Sequence, residues 1–101
     1  METYENKVYE NKTIDVANSS INEYKNCIFK NCSFEDSSDI NTKKILMHFS
    51  GCVFDDCFFE QCYVTISNSN LSDCFFRNVA IDKLDCCNTN NLKFIVHYRI
   101  K

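Results

Sequence analysis

Large apolar side chains recur at every fifth position along much of this sequence. Thirteen positions spaced five residues apart contain eight aromatic side chains, although aromatic residues make up only 14% of the chain. The thirteen positions are Tyr4, Tyr9, Ile14, Ser19, Tyr24, Phe29, Phe34, Asp39, Lys44, Phe49, Phe54, Phe59 and Val64. A period of five matches neither the 3.6-residue period of a helix nor the two-residue alternation of a strand. The pattern therefore predicts a structural repeat of five residues.

A small residue stands two positions before the large one in the clearest units. Five cysteines occupy this place: Cys27, Cys32, Cys52, Cys57 and Cys62. After Val64 the pattern moves by two residues. It then continues as Ile66, Leu71, Phe76, Ile81 and Cys86, with Ser69 and Cys74 as the small residues. We interpret this two-residue shift as a β-bulge, in which one strand carries an extra residue.

These units resemble the pentapeptide-repeat family, whose five-residue unit carries a small residue first and leucine or phenylalanine third. The clearest matches are Cys27-Ile28-Phe29, Cys32-Ser33-Phe34, Cys52-Val53-Phe54, Cys57-Phe58-Phe59, Ser69-Asn70-Leu71 and Cys74-Phe75-Phe76. The resemblance covers residues 22–84 well and residues 4–21 weakly. It implies a single all-β domain over residues 1–101. The implied fold is a right-handed quadrilateral β-helix of four to five coils, in which each unit forms one side and four units complete a coil.

One internal stretch departs from the repeat. Asp39 and Lys44 stand where inward apolar side chains belong. We therefore predict an irregular loop near residues 36–46 that is pushed outward. The apolar residues expected to turn inward in their place are Ile40, Ile45 or Leu46.

The C-terminal segment, residues 88–101, also leaves the five-residue step. From residue 92 onward it alternates like a strand. One side of that strand carries Leu92, Phe94, Val96, Tyr98 and Ile100. This side is either a cap, which the end of a coil stack needs, or the interface of a homodimer, because an exposed strand edge invites pairing.

Composition excludes several classes of protein. The chain has no proline and a single glycine, Gly51. Phosphate-binding loops need several glycines, so the common nucleotide-binding motifs are excluded. Residues 1–10 contain no apolar stretch of the signal-peptide type, and no apolar run is long enough to span a bilayer. We expect a cytoplasmic protein of a bacterial host, without membrane contact.

The cysteines predict packing rather than chemistry. Six of the eight stand at the small position of the repeat, where a buried thiol behaves as a small hydrophobic group. Their spacing of five differs from the ligand spacing of zinc sites. His48 lies near Cys52 in the sequence, but a nucleophilic thiol must be accessible and Cys52 occupies a corner of the repeat. We therefore expect no enzyme activity, no metal and no cofactor.

Acidic residues are predicted to form columns on the outside of a coil made of four units. Asp15, Glu35 and Asp55 would share one column, with Asp36 and Asp56 in the next, and adjacent coils would be about 4.8 Å apart. Such a column would resemble the phosphate track of a nucleic-acid strand. The alternative is a solvated face that only promotes solubility, since the net charge is −3.

Several pentapeptide-repeat proteins mimic DNA and bind topoisomerases, so the resemblance and the acidic columns favour the same function. The expected function is a non-enzymatic inhibitor or protector. It would occupy the basic groove of a DNA-binding protein or nuclease complex, such as DNA gyrase or, as a phage anti-CRISPR protein, a CRISPR-Cas effector. The expected partner-binding residues are Asp15, Glu35, Asp36, Asp55, Asp56, Glu60 and, as an apolar anchor, Phe75.

Two other functions stay open at this level. The first is a structural or dimeric interaction module without any mimicry. The second is direct nucleic-acid binding, which the acidic middle of the chain disfavours. The basic residues concerned are Lys43, Lys44, Lys93, Arg99 and Lys101.

Overall fold

Short parallel strands wind into a β-helix of about five coils. The computed structural model describes residues 2–18, 21–39 and 44–95. The strands are β1 (Glu2–Glu5), β2 (Val8–Glu10), β3 (Thr13–Asp15), β4 (Ile21–Lys25), β5 (Ile28–Lys30), β6 (Ser33–Glu35), β7 (Leu46–Ser50), β8 (Val53–Asp55), β9 (Phe58–Glu60), β10 (Tyr63–Arg77) and β11 (Ala80–Ile95). A short 3₁₀ turn, Val16–Asn18, follows β3. The predicted all-β β-helix of four to five coils is confirmed.

The pairings form three parallel ladders, which we call faces A, B and C. Face A contains β1, β4, β7 and residues 63–67 of β10. Face B contains β2, β5, β8 and residues 70–72 of β10, and face C contains β3, β6, β9 and residues 75–77 of β10. Strand β11 pairs along β10 on all three faces. A square coil would have four such ladders, and the described pairings form three.

Coil length varies along the stack. In-register partners on face B form one column, which contains Tyr9, Phe29, Phe54, Leu71 and Thr89. The interval between the first two members equals the predicted four units. The second interval is longer by one whole unit, and the third and fourth are shorter than predicted by about half a unit. The differences arise between faces C and A, where the chain takes a long path after β6 and a very short one after β9.

The core consists of aromatic rings stacked along the axis of the coils. Phe29 stacks on Phe54 with ring centroids 5.1 Å apart, and Phe34 stacks on Phe59 at 4.7 Å. Phe76 continues the second column 4.6 Å above Phe59. All five rings are buried. The predicted inward orientation of the phenylalanines is confirmed, and stacked pairs of this kind contribute about 0.5–1.5 kcal/mol beyond their buried area.

The six repeat cysteines fill the inner corners of the coils, as predicted. All eight cysteines of the chain are free thiols, and these six are buried. The Cys62 sulfur lies 3.2 Å from both the Phe34 and the Glu60 carbonyl oxygens. Burial raises the pKa of Cys52 to about 11 and that of Cys62 to about 12. These two thiols therefore stay protonated at neutral pH and can donate to backbone carbonyls of the neighbouring coil.

Thiol titration of the native protein should separate the cysteines into three groups. Cys87 is exposed and should react first with a thiol reagent. Cys86 is half-buried, and burial, followed by the nearby Asp85 charge, raises its pKa, so it should react more slowly. The six core thiols should react only after denaturant is added. More than two thiols reacting in the native state would contradict this packing.

Asparagine takes the place of glycine and proline at most corners of the coils. Among residues 2–18, 21–39 and 44–95, ten residues other than glycine have a positive φ, and seven of these are asparagines, the residue type that tolerates the left-handed conformation best after glycine. Asn31 donates its Nδ2 hydrogen to Asn11 Oδ1 of the previous coil at 2.8 Å. Gly51 also has a positive φ, and a Cβ there would clash with Asn26 Oδ1. The close Asn26 side chain, rather than the backbone conformation alone, favours glycine at this corner.

The prediction of an outward loop near residues 36–46 is wrong about which side chains turn inward. Lys44 is only 5% exposed, and its Nζ donates to the Ser38 carbonyl oxygen at 2.9 Å. The same Nζ lies 3.8 Å from Asp36 Oδ1, and Asp36 is only 1% exposed. Ile45 is exposed, Leu46 is partly buried, and Ile40 lies outside the described residues. The buried carboxylate explains the inward lysine, because an uncompensated charge in the interior is costly.

Against β7 the two-residue shift after Val64 is not a bulge, whereas the pairing of β10 with β11 changes register between Val64 and Thr65. Residues 63–67 pair with residues 46–50 without any change of register. Val64 and Ile66 both point into the core from one longer strand, above Met47 and Phe49. Inward residues two apart are the normal alternation of a strand. Face A is therefore wider than the other faces. Met47 is the buried apolar side chain at the place where an inward residue was expected from the loop.

Candidate protein-binding surface

The acidic columns differ from the predicted ones. β6 pairs with β9 so that Glu35 lies beside Glu60, while Asp55 lies beside Lys30 on face B. The first pair, Asp15 and Glu35, is in register as expected. The prediction that Asp55 is the third member of this column is wrong, because the second coil is longer than predicted by one whole unit.

The second predicted column does not exist either. Asp36 is buried against Lys44 and Ser38, so its carboxylate is not on the outer surface. Asp56 occupies an exposed corner with a φ of 57°. It immediately precedes face C, as Asp73 does in the next coil. These two aspartates are therefore neighbours along one edge of the stack.

Asp15 serves the local structure of the first two coils. Its Oδ1 accepts hydrogen bonds from the backbone N–H groups of Ala17 and Ser37, both at 3.1 Å. Its Oδ2 accepts from the Ser37 hydroxyl and, at 2.9 Å, from Asn18 Nδ2. The Ser37 hydroxyl is the main cause of a lowered pKa of Asp15. The carboxylate is charged, but its lone pairs are largely taken.

Four of the predicted carboxylates, together with Asp73, lie on the outer side of face C and along its edge with face B. We call this group the acidic corner, and its members are Glu35, Asp55, Asp56, Glu60 and Asp73. Asp55, Asp56 and Asp73 are exposed, and the two glutamates are partly buried. Asp73 was not among the predicted site residues. The short third coil is the signal that would have found it, because Asp73 follows Asp56 by the same interval as Leu71 follows Phe54.

Two aromatic side chains form a pair on the outside of face C. The rings of Phe58 and Phe75, which we call the aromatic pair, have centroids 5.2 Å apart and planes tilted by 43°. Both rings are partly exposed. Along each strand the ring stands between a corner aspartate and the next outward residue, Glu60 or Arg77. The outward orientation predicted for Phe75 is confirmed.

Cationic side chains of the protein itself already contact the aromatic pair. The Arg77 guanidinium carbon lies 5.7 Å from the Phe58 ring centroid. Arg77 also forms an ion pair with Glu60, in which its Nε donates to Glu60 Oε2 at 3.0 Å. The Lys93 Nζ lies 5.9 Å from the Phe75 ring centroid. The outer side of face C thus combines aromatic rings with charges of both signs.

A shallow groove runs beside the aromatic pair at the corner of coils three to five. Its volume is about 380 Å³. The lining residues are Asp56, Asp73, Cys74, Phe75, Asn91, Leu92 and Lys93. Two carboxylates and one ring therefore share the wall of a single depression, which we call the corner groove.

Part of the C-terminal tail continues the coil stack. Leu92 pairs with Cys74 and is partly buried against the core, and Phe94 stacks on Phe76 with centroids 4.8 Å apart. Residues 92–95 therefore belong to a fifth coil, in contrast to the expectation that the tail leaves the repeat. Val96, Tyr98 and Ile100 lie outside the described residues. Leu92 and Phe94 lie in this last described coil, and both the cap and the dimer interface stay predictions.

The end of the stack at β11 exposes apolar side chains. Ile81 was expected to point into the core, but it is 37% exposed because no further described coil covers it. Phe94 is 44% exposed for the same reason. Leu84 and Ile95 are exposed on the same strand.

The other sequence-level candidates are dispersed in the structure. His48 lies outward on face A between Glu23 and Thr65, while Cys52 is buried with a raised pKa. Within residues 2–18, 21–39 and 44–95, no group of three or more His, Cys, Asp or Glu side chains could hold a metal ion. In the same part of the chain, no helix has the length and apolar character that crossing a membrane requires.

Two comparisons with known proteins give no match. No protein-family model fits the sequence. No curated protein is significantly similar to it. The outer surface of face C and its edge with face B are therefore the features of this protein that indicate a function.

Proposed function

We propose that this protein is a non-enzymatic inhibitor or protector that binds the basic groove of a DNA-handling protein in place of DNA. The observation that carries the proposal is the acidic corner. Five carboxylates lie along two neighbouring columns and one edge of three successive coils, at a coil spacing of about 4.8 Å. Phosphates follow one another at about 3.4 Å along each strand of DNA. A basic groove that accepts the phosphates of DNA would also attract the carboxylates of the acidic corner.

Carboxylates of the acidic corner repel one another. Like charges one coil apart, such as Glu35 and Glu60, repel by up to about 1 kcal/mol in water. Lys30 and Arg77 offset part of this repulsion for Asp55 and Glu60. The remaining repulsion is relieved when a cationic partner approaches. Binding should therefore weaken with added salt, because exposed charges are screened within about 10 Å at 0.1 M ionic strength.

The backbone holds these carboxylates in place before any partner arrives. The corner residue Asp56 donates its backbone N–H to the Ser72 carbonyl oxygen of the next coil at 2.9 Å. Ladder pairing fixes Asp55 and Glu60 in the same way. A rigid array loses little conformational entropy on binding. This property suits a decoy for a stiff nucleic acid.

Charge neutralisation at the acidic corner tests the proposal. The test variant carries Asp55→Asn, Asp56→Asn, Glu60→Gln and Asp73→Asn, and asparagine suits the left-handed corners at 56 and 73. Proteins captured from a bacterial lysate by the unmodified protein should be displaced by short duplex DNA. The test variant should capture them about tenfold less well.

The control variant changes the same number of charges on face A. It carries Glu5→Gln, Glu23→Gln, Asp82→Asn and Asp85→Asn, and it should capture the same proteins as the unmodified protein. Purified DNA gyrase and a CRISPR-Cas effector can then be assayed for inhibition by all three proteins. Equal capture by the test and control variants, or capture that DNA does not displace, would overturn the proposal.

A further inference from the structure

We propose that Phe75 and the corner groove bind an arginine side chain of the partner protein. The proposal deepens the function above, because it takes the partner to be a protein with a basic surface. It concerns the chemistry of one contact, which the charge pattern alone does not define. The occupant is a guanidinium group that stacks on the Phe75 ring and pairs with the aspartates beside it.

The Phe75 ring lies beside carboxylates. Phe75 and Asp73 line the corner groove together with Asp56 of the preceding coil. On the other side of the ring the next outward residue is Arg77, which pairs with Glu60. A cation over Phe75 therefore meets the negative face of an aromatic ring and two carboxylates on the side of the groove. Aromatic rings and carboxylates each attract cations, and their effects reinforce one another at such a place.

The protein makes the same contact within its own chain. The Arg77 guanidinium lies on the Phe58 ring and forms an ion pair with Glu60. Phe75 is the next ring in the same column, with Asp73 and Asp56 as its acidic neighbours. The partner's arginine would repeat on Phe75 the arrangement that Arg77 makes on Phe58.

Lys93 currently occupies the position that the arginine would take. Its Nζ is 5.9 Å from the Phe75 centroid, its side chain is exposed, and it also lines the corner groove. An exposed lysine exchanges such a contact readily because its ammonium is strongly hydrated and its stem is flexible. Lys93 should therefore compete with the partner, and removing its charge should strengthen binding.

Arginine fits this surface better than the other candidate occupants. Its guanidinium is planar, stacks on rings and is more weakly hydrated than the ammonium of lysine. It can also donate to two carboxylates at once. A nucleotide base would stack on Phe75 too, but its phosphates would be repelled by the acidic corner. The preference for arginine over lysine is thus the property that identifies this site.

The experiment measures binding of two probe peptides, hexa-arginine and hexa-lysine, by calorimetry at low salt. The unmodified protein should bind hexa-arginine about fivefold more tightly than hexa-lysine. Phe75→Leu should remove this preference, because it weakens hexa-arginine binding more than hexa-lysine binding. Tyr63→Leu, which removes a partly exposed ring on face A, should keep the preference. Circular dichroism checks that each variant is folded.

A second pair of variants tests the competing lysine. Lys93→Met should strengthen hexa-arginine binding about threefold. Lys83→Met changes the same charge on an exposed position of face A and should have a smaller effect. Equal affinity for the two peptides, no binding of hexa-arginine, or a preference that persists in Phe75→Leu would overturn the proposal. Tighter binding of a thymidine oligonucleotide than of hexa-arginine would overturn it as well.

The two proposals fail in different ways. If the acidic-corner variant loses its captured proteins while Phe75→Leu keeps them and keeps the peptide preference, the arginine site is overturned and the proposed function stands. If Phe75→Leu loses the peptide preference but DNA does not displace the captured proteins, the proposed function is overturned and the arginine site stands.

Discussion

Replacing Phe54 with alanine should lower the free energy of unfolding by about 3–5 kcal/mol. The Phe54 ring is fully buried in the third coil and stacks on Phe29 below it. It also contacts Phe49 and Phe59, with centroids 5.0 Å and 5.5 Å away. Stability in a coil stack is close to a sum over neighbouring coils, so a cavity at the centre weakens the interfaces on both sides. Urea denaturation followed by circular dichroism measures the loss.

The matched control is the same change at the end of the stack. Phe94 contacts Phe76 on one side only and is 44% exposed. Phe94→Ala should therefore cost about 1 kcal/mol. Equal losses for the two variants would contradict an aromatic core that is buried at its centre and open at this end.

Lys44→Met should destabilise the protein by about 3–5 kcal/mol, because it leaves a charged carboxylate buried without its cation. Asp36 is only 1% exposed and accepts hydrogen bonds from the Ser38 backbone N–H and hydroxyl groups. These two donors do not replace the charge of Lys44. The measurement is again the free energy of unfolding in urea.

The double variant Asp36→Asn with Lys44→Met separates charge from shape. It removes both charges and keeps similar side-chain volumes, so it should recover most of the stability lost in Lys44→Met. A double variant that is no more stable than Lys44→Met would show that the lysine acts through its hydrogen bonds to Ser38 rather than through its charge.

The positions that the sequence predicted well depend on local geometry. A large side chain two residues after a small one points inward wherever a short strand follows a corner, so Phe29, Phe54 and Phe76 could be assigned from spacing alone. The same holds for the corner thiols. The outward placement of Phe75 follows directly from the inward placement of Phe76, because adjacent residues of a strand point to opposite sides.

The positions that the sequence missed depend on distances along the whole coil. Asp55 was assigned to the column of Glu35 because every coil was assumed to contain four units, and one extra unit in the second coil moved Glu60 there instead. The inward lysine depends on a carboxylate eight residues earlier that becomes buried only after the coil closes. Neither the coil length nor this pairing is encoded in a five-residue pattern.

The side of the stack between β6 and β7 has a practical consequence for engineering. The ladders keep their register although the second coil is considerably longer than the third. Chain length can therefore change at this one place without disturbing strands above or below it. The corresponding short connection after β9 should accept a grafted peptide epitope of similar size. The scaffold would then display foreign sequence at a fixed height along the coil stack.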